Sequence, residues 1–379
     1  MKIGIISEYT TSTINYGNCL QAYALNHYIQ SLCVDAEVQT IVIRHSYKDK
    51  ILTSRIPISA LWKKAFQRIG RFFNNEGNFP ERESRKKQFL KFENEYINMS
   101  DTSLEYTDIE HSDYNFLIVG SDVVWIQGRY YINRIKFLDF NFHNPIKRVA
   151  YAASFGDDYI PEENKNDIRR CLKQFDNISV RESTTVEMLK RLGIGDARAT
   201  LDPTLLVAAC EWSNLEMEPK GVGGTKYVFV YLQSPNLSQY KMIEKICHEK
   251  NLQIVSITFA SGRKNKLDRA FGDICLWDAS PQNWIWLMHH AEYVITDSFH
   301  GIVFSTIFRR KFVPVQRNDG HLMNRLTDYL NTIQYEAEPL VSNNPGLLEY
   351  GNWDFDTFDY NLDKKRKESI DFLKEALGL

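Results

Sequence analysis

The stretch YVITDSFHGIVFSTIF, from Tyr293 to Phe308, decides the fold of this chain. Its first four residues are typical of a buried strand, and the apolar residues after Gly301 are typical of a helix. The polar turn between them therefore lies at the carboxyl end of a strand and the amino end of a helix. Open α/β sheets bind ligands at that position. The stretch predicts a parallel sheet with a ligand site at its edge.

The same order of strand, loop and helix opens the chain. Lys2–Ser7 predicts a strand, Glu8–Tyr16 a polar loop and Gly17–Leu32 a helix, with Asn15 or Asn18 as its N-cap. Two such units in 379 residues favour two domains. We therefore predict an α/β protein whose two Rossmann-like domains face each other.

The domain boundaries follow from the order of these patterns. Residues 1–210 form the predicted N-terminal domain, which is interrupted by a helical insertion over about 45–100. After a polar, glycine-rich linker, residues 226–340 form the C-terminal domain. Residues 341–379 are an extension whose final helix, Lys364–Leu377, can return to the first domain.

The composition excludes several classes of protein. The formal net charge of −2 gives no attraction to nucleic acid, and the six cysteines lack the paired spacing of a zinc site or a disulfide framework. The opening residues are typical of a strand and not of a signal peptide, and no apolar run approaches the ~20 residues that span a bilayer. We therefore expect a soluble cytoplasmic protein without a nucleic-acid partner. The sequence does not indicate the oligomeric state.

Residues 59–73 predict a basic amphipathic helix. Its basic face carries Lys63, Lys64, Arg68 and Arg71, opposite an apolar stripe. Two interpretations stay open. The helix packs on its own domain with a solvated basic face, or it makes peripheral contact with the inner face of an anionic membrane.

His300 is the strongest candidate for catalysis. An imidazole can donate or accept a proton at cellular pH, and the amino end of a helix favours its neutral form until an anion binds beside it. Asp297 can orient the imidazole, or it can serve as a helix cap. The alternative for His300 is a histidine whose hydrogen bonds are satisfied at the strand edge.

Polar groups at two other predicted strand ends are candidates for substrate binding. The turn Asn15-Tyr16-Gly17-Asn18, followed by Gln21, predicts a site for an anion or a sugar hydroxyl, or simple capping. Ser121 and Asp122, with Trp125 beyond them, combine a carboxylate with an aromatic ring that suits a sugar. The tryptophan can equally belong to the core.

Three arginines can bind an anion. Arg181 directly follows a predicted buried strand, where an arginine pairs with an acid or binds a phosphate or carboxylate. Arg317 and Arg325 can reach the same anion or be surface charges. His289 and His290 do not predict a metal site, because neighbours on a helix point about 100° apart. We predict no metal.

Five motifs, taken in order, resemble the polysaccharide pyruvyl transferase family, and the resemblance extends from residue 1 to about residue 330. They are NYGNCLQAYAL from Asn15, GSDVVW from Gly120, SVRE from Ser179, DPTLL from Asp202 and TDSFHG from Thr296. The resemblance implies a GT-B-like fold with the site in the cleft between the domains.

The resemblance also implies an activity. Such enzymes transfer the enolpyruvyl group of phosphoenolpyruvate onto two hydroxyls of a sugar in a polysaccharide or its precursor, as in capsule and exopolysaccharide synthesis. Phosphoenolpyruvate is then the donor substrate, no cofactor is implied, and the acceptor is a free or lipid-linked sugar or oligosaccharide. On this basis His300 is the acid/base, with Asp297 or Asp122 helping to shuttle protons.

One departure from the family affects donor binding. Some members carry an arginine two residues before the histidine of the last motif, where this chain has Ser298. Binding of the donor anion then falls to Arg181, Arg317 or Arg325. Two alternatives stay open: a GT-B glycosyltransferase that uses a sugar nucleotide, and a non-catalytic protein that binds glycans or assembles with other proteins.

Overall fold

The computed structural model describes residues 1–8, 14–44, 50–52, 80–126, 131–224, 226–257, 271–317, 323–336, 348 and 351–379. The basic segment 59–73 lies outside these residues. Within them, no helix combines the length and the apolarity that a membrane span needs.

The N-terminal domain is built on a parallel six-stranded sheet of order β2–β1–β4–β6–β7–β8. β4 is buried along its whole length, which explains its nearly continuous apolar sequence. A separate antiparallel pair joins β3 to β5. The strands are β1 Lys2–Ile6, β2 Glu37–Thr40, β3 Lys50–Leu52, β4 Phe116–Asp122, β5 Tyr131–Asn133, β6 Lys147–Ala153, β7 Asn177–Val180 and β8 Arg198–Ala199.

Helices cover this sheet and continue into the linker. Asn15 is the N-cap of the first helix, and its side chain accepts a hydrogen bond from the Asn18 amide. The helices are α1 Tyr16–Leu32, α2 Pro80–Tyr96, α3 Tyr106–Glu110, α4 Glu162–Leu172, α5 Ser183–Arg191 and α6 Ala209–Ser213. Of the predicted helical insertion, the structure describes α2, which packs on α1 with the rings of Tyr16 and Phe89 4.9 Å apart.

The C-terminal domain has a parallel five-stranded sheet of order β11–β10–β9–β12–β13. Its strands are β9 Tyr227–Tyr231, β10 Gln253–Ile257, β11 Ile274–Leu276, β12 Tyr293–Thr296 and β13 Lys311–Pro314. Its helices are α7 Leu237–Glu249, α8 Pro281–His290, α9 Phe299–Ile307 and α10 Met323–Thr332. The predicted strand, turn and helix around His300 are therefore β12 and α9. The short edge strand β11 is absent from the sequence-based prediction.

A long last helix, α11, spans Phe355–Leu377 and begins nine residues before the predicted start. Its first half packs on the C-terminal domain, where Phe358 lies against Phe312. Its last turns pack on the N-terminal sheet, where Leu373 joins the apolar cluster of Ile3 and Ile5. The helix thus returns to the first domain, as the sequence predicts.

Candidate active site

A cavity of about 180 Å³ lies between the two domains, among the described residues. Several of its lining residues end or directly follow a strand, so the carboxyl edges of both sheets face it, as in other open α/β proteins. The N-terminal domain contributes Glu8, Asn15, Asn18, Asp122, Val123 and Ile126. The C-terminal domain contributes Gln233, Asp297, Ser298, Phe299, His300, Arg317, Arg325 and Leu326.

His300 lies in the first turn of α9 and is 6% exposed. Its imidazole reaches across the domain boundary to Gly17 in the first turn of α1. A Cβ atom at position 17 would lie 2.1 Å from His300 Nδ1, closer than any real contact. The glycine therefore makes room for the imidazole, and its predicted role in substrate binding stays a prediction.

The carboxylate beside His300 belongs to Asp202, which the sequence analysis places in a family motif but does not assign to the site. Asp202 Oδ2 lies 3.5 Å from His300 Nε2 and accepts hydrogen bonds from Ser121 Oγ and Arg181. A separation of 3.5 Å is a close contact and not a well-formed hydrogen bond, and His300 Nε2 has no hydrogen-bond partner among the described residues. Burial alone would raise the pKa of Asp202, but His300 and Arg181 outweigh burial and hold this pKa below its ordinary value.

Arg181 is held in a buried ion-pair network. Its guanidinium lies 3.1 Å from Asp122, 3.1 Å from Glu182 and 3.0 Å from Asp202, and 4.3 Å from the centre of the Phe299 ring. Three carboxylates thus surround a side chain that is only 4% exposed. Of the two interpretations of Arg181, the structure shows the pairing with acids. We therefore no longer assign donor binding to it.

Arg325 lines the cavity, and its guanidinium is only partly hydrogen-bonded within the described residues. It donates to Asp122 Oδ1 at 3.1 Å, while its buried Nε has no hydrogen-bond partner in the described part of the chain. Burial, together with repulsion from Arg181, lowers the pKa of Arg325 to about 10. A second cavity arginine, Arg317, donates to Gln233 Oε1 at 3.0 Å. An anion in the cavity would stabilise the charge on Arg325.

Asp297 and Ser298 line the cavity and also hold the backbone around it. Asp297 accepts hydrogen bonds from the backbone amides of Gln233 and Ser234 at 2.7 and 2.8 Å, so its carboxylate holds the loop after β9. Ser298 is the N-cap of α9, with Oγ accepting from the Gly301 amide at 3.4 Å. The orienting role that the sequence suggests for Asp297 stays a prediction, and the structure adds a second carboxylate, that of Asp202, 3.5 Å from His300 Nε2.

Two aromatic candidates lie in the hydrophobic core instead of the cavity. Trp125 is fully buried, stacks on Phe137 at 5.6 Å and donates through Nε1 to the Lys136 carbonyl. It cannot serve as a platform for a sugar. The Tyr16 hydroxyl donates to the Ala279 carbonyl at 2.7 Å, so this side chain joins the two domains.

Two polar candidates, Gln21 and Ser121, are not among the residues that line the cavity. Gln21 Oε1 accepts from the Ser121 amide at 3.1 Å, and its Nε2 donates to Ser7. Ser121 Oγ donates to the Ala152 carbonyl and to Asp202, each at 3.1 Å. Both side chains are fully buried, so they position Asp202 and the end of β4 instead of binding substrate.

The geometric reason for excluding a metal at His289 and His290 does not hold. Both imidazoles reach the same carboxylate, that of Glu216, at 2.9 and 3.3 Å. This cluster lies at the end of α8, away from the cavity.

A family model described as polysaccharide pyruvyl transferase matches residues 15–319. The chain belongs to this family. The protein is therefore a transferase of polysaccharide biosynthesis, and its family implies a sugar or polysaccharide acceptor. The matched region of this pyruvyl transferase contains Gly17, Asp202 and His300, whereas Arg325 lies beyond it.

Comparison with other proteins supports the fold of the pyruvyl transferase. No curated protein matches its sequence. Among solved structures, the UDP-GlcNAc 2-epimerase of Methanocaldococcus jannaschii, in complex with UDP-GlcNAc and UDP, has a TM-score of 0.51 and 13% identity, covering 97% of this chain and 94% of that chain. A heptosyltransferase of E. coli has a TM-score of 0.38 and 12% identity, covering 96% and 99%. The likeness to the epimerase confirms the predicted fold of two Rossmann-like domains.

Proposed function

We propose that this protein transfers the enolpyruvyl group of phosphoenolpyruvate onto two hydroxyls of a sugar and forms a pyruvate ketal. The observation that carries the proposal is the position of Arg325. An arginine that is only 11% exposed, and whose buried Nε has no hydrogen-bond partner among the described residues, lines the same cavity as His300. An anionic donor would complete the pairing of the arginine and lie beside a group that can transfer a proton.

Other groups around the cavity also suit this donor. Phosphoenolpyruvate carries a phosphate and a carboxylate. The amino ends of α1 and α9 both reach the cavity, through Asn18 and Phe299, and helix amino ends bind anions through their free amides and the helix dipole. With Arg317 and Arg325, the cavity offers separate partners for the two anionic groups.

The chemistry requires one well-placed proton donor. His300 would donate a proton to the methylene carbon, which leaves C2 as an oxocarbenium-like centre. A first sugar hydroxyl adds to C2 and returns its proton to the imidazole. The second hydroxyl then displaces phosphate at C2: the C–O bond to phosphate breaks, the second C–O bond to the sugar forms, and the hydroxyl proton passes to the departing inorganic phosphate. The products are the ketal and phosphate, with no oxidant, reductant or cofactor required.

Asp202 has a defined role in this scheme. Its carboxylate, ionised at neutral pH, lies beside His300 and stabilises the imidazolium that donates the proton. Asp122 neutralises Arg181 and Arg325 and takes no proton itself, since its own pKa is lowered. The acceptor is a sugar or oligosaccharide, free or lipid-linked.

Calorimetric titration of phosphoenolpyruvate tests the donor. Wild-type protein should bind it saturably, and Arg325→Gln should weaken binding by about ten- to hundredfold, because it removes a charged hydrogen-bond partner. Arg191→Gln, a change at an exposed arginine in α5, serves as the matched control and should bind normally. Equal binding by both variants would contradict the assignment of Arg325.

A thermal-shift assay separates the other functions. Phosphoenolpyruvate should raise the melting temperature, because a ligand stabilises the state that it binds. Stabilisation by a sugar nucleotide alone would instead favour a glycosyltransferase. Stabilisation by neither, together with no release of phosphate from phosphoenolpyruvate in the presence of sugars, would favour a non-catalytic protein.

A further inference from the structure

Two histidines and a glutamate meet where the linker between the domains passes the end of α8. Glu216 lies three residues after α6, and His289 and His290 are the last residues of α8. Glu216 Oε2 is 2.9 Å from His289 Nδ1, and its Oε1 is 3.3 Å from His290 Nε2. The potential ligand atoms of the three residues all lie within 4.8 Å of one another.

The two neighbouring histidines reach one point because they use different nitrogens. His289 presents Nδ1, which is close to its backbone, and His290 presents the more distant Nε2. This difference in reach compensates for the angle between successive residues on a helix. Each ring is also held by stacking, His289 on Phe308 and His290 on Trp286, with centroids 4.4 Å apart in both pairs.

The backbone beside Glu216 is anchored to the same helix. The Met217 amide donates to the Gln282 carbonyl at 3.2 Å, and Asn283 Nδ2 donates to the Met217 carbonyl at 2.8 Å. The carboxylate is therefore held next to the imidazoles by contacts that do not involve the histidines. All three side chains are partly exposed, at 20–42%, so an ion can reach them and water can complete its coordination.

We propose that Glu216, His289 and His290 bind a divalent transition-metal ion, of which Zn²⁺ is the probe ion. Two imidazoles and one carboxylate are a ligand set that Zn²⁺ accepts, at about 2.0–2.2 Å for each atom, with water in an open position. Ligand atoms within 4.8 Å of one another require only small side-chain rotations to reach that geometry.

The ion has a structural role and takes no part in the transfer reaction. Phe308, against which His289 stacks, follows the last turn of α9, whereas His300 lies in the first turn. Eight residues separate them, which is about 12 Å along the helix axis. A metal at Glu216 would instead fasten the interdomain linker to α8.

The competing explanation is an ion pair between two protonated histidines and Glu216. Cationic side chains are favoured in the last turn of a helix, where both histidines lie. The two explanations differ in one measurable respect. Only the metal site takes up Zn²⁺ at a stoichiometry and affinity that depend on all three side chains, because Zn²⁺ requires unprotonated nitrogens.

Calorimetric titration of ZnCl₂ into the chelator-treated full-length protein tests the proposal. The wild type should bind one ion saturably at this site, and both His290→Ala and Glu216→Gln should weaken that binding by at least about tenfold. His27→Ala is the matched control, because His27 Nε2 lies 2.9 Å from Glu211 Oε2 in a pair with a single imidazole. This control should bind Zn²⁺ as the wild type does.

Melting temperatures show whether a variant binds Zn²⁺ more weakly only because it has lost its fold. Zn²⁺ should raise the melting temperature of the wild type and the His27→Ala variant, and leave those of Glu216→Gln and His290→Ala unchanged. Binding of phosphoenolpyruvate by all four proteins reports an intact cavity. Zn²⁺ affinity that is equal in all four proteins, or the absence of saturable binding to the wild type, would overturn the proposal.

Discussion

Asp202 and His300 belong to different domains, and their side chains meet with Oδ2 and Nε2 3.5 Å apart. Asp202 follows β8 in the N-terminal domain, and His300 begins α9 in the C-terminal domain. Neither domain alone therefore contains both His300, the proposed acid/base, and the carboxylate beside it. Docking of the domains brings them together, through the contact of His300 with Gly17 on one side and Asp202 on the other.

Replacing His300 by alanine should remove the proposed acid/base. General acid–base catalysis is typically worth about 10²–10⁴ in rate, so we expect kcat/KM to fall by that factor, or roughly 3–5 kcal/mol of transition-state stabilisation. The assay is phosphate release from phosphoenolpyruvate with a sugar acceptor. Binding of phosphoenolpyruvate should persist, since Arg317 and Arg325 remain. Turnover near the wild-type rate would contradict the assignment.

Replacing Asp202 by asparagine should lower kcat/KM. The Asp202 carboxylate lies 3.5 Å from His300 Nε2, so removing its negative charge removes the proposed stabilisation of positive charge on the imidazole during proton transfer. We expect kcat/KM to fall by about tenfold or more, while phosphoenolpyruvate still binds through Arg317 and Arg325. Asp35→Asn, a change at an exposed residue, should leave both properties unchanged. Loss of phosphoenolpyruvate binding together with the loss of activity would indicate a purely structural role.

Replacing Gly17 by alanine should displace the imidazole of His300. The new Cβ would lie 2.1 Å from Nδ1, so the ring must leave its present position between Gly17 and Asp202. We expect a loss of kcat/KM approaching that of His300→Ala. In the His300→Ala background the same change should cost no further activity and should stabilise α1, because alanine is favoured over glycine in helices by about 1 kcal/mol.

The control for this double-mutant cycle is Gly195→Ala. A Cβ atom at position 195 would meet nothing within 4 Å. That variant should retain wild-type kinetics. Additive losses in the Gly17→Ala/His300→Ala double variant would show that Gly17 acts on activity by another route.

Replacing Glu93 by glutamine should stabilise the protein more as the pH rises. Glu93 lies in α2 and is 2% exposed, and burial raises its pKa from 4.5 to about 7. Because the unfolded carboxyl ionises at the lower pKa, the folded protein loses free energy of unfolding as the pH rises from about 4.5 to about 7. Glutamine removes this dependence, so the stability difference between the variant and the wild type should increase between pH 5 and pH 8.

Urea unfolding at the two pH values measures this effect. Glu95→Gln, on the exposed side of the same helix, provides the matched control and should show no such increase. A stability difference for Glu93→Gln that is equal at pH 5 and pH 8 would mean that Glu93 is already ionised in the folded protein at pH 5.

The fold could be predicted from the sequence because its signals are local. The sequence predicts β12 from the apolar residues Tyr293–Thr296 and α9 from the apolar residues after Gly301. The structure has the same strand limits, and its helix begins two residues before Gly301, at Phe299. The edge strand Ile274–Leu276 was missed because three residues carry too little periodicity to indicate a strand. The start of α11 was missed for a different reason, since its first turns are polar and aromatic without a clear apolar stripe.

The site could be predicted only in part, because its chemistry depends on neighbours that are distant in sequence. Position at a strand end identified His300 and Asp122, whereas Arg325 lies within α10 and was only one of three candidate arginines. Whether Arg181 meets an anion or acids depends on Asp202, 21 residues away, and on Asp122, 59 residues away. Asp202 itself follows a short strand and precedes a proline, which in isolation indicates a capping residue.

The course of α11 limits how the cleft can open. Phe358 is embedded in the C-terminal domain and Leu373 in the N-terminal domain, 15 residues apart on one continuous helix, or about 22 Å. Ion pairs secure both ends, Arg309 with Asp359 and Arg198 with Glu375. One continuous helix therefore couples the two domains, and moving them apart along its axis would expose one of its two apolar anchors to water.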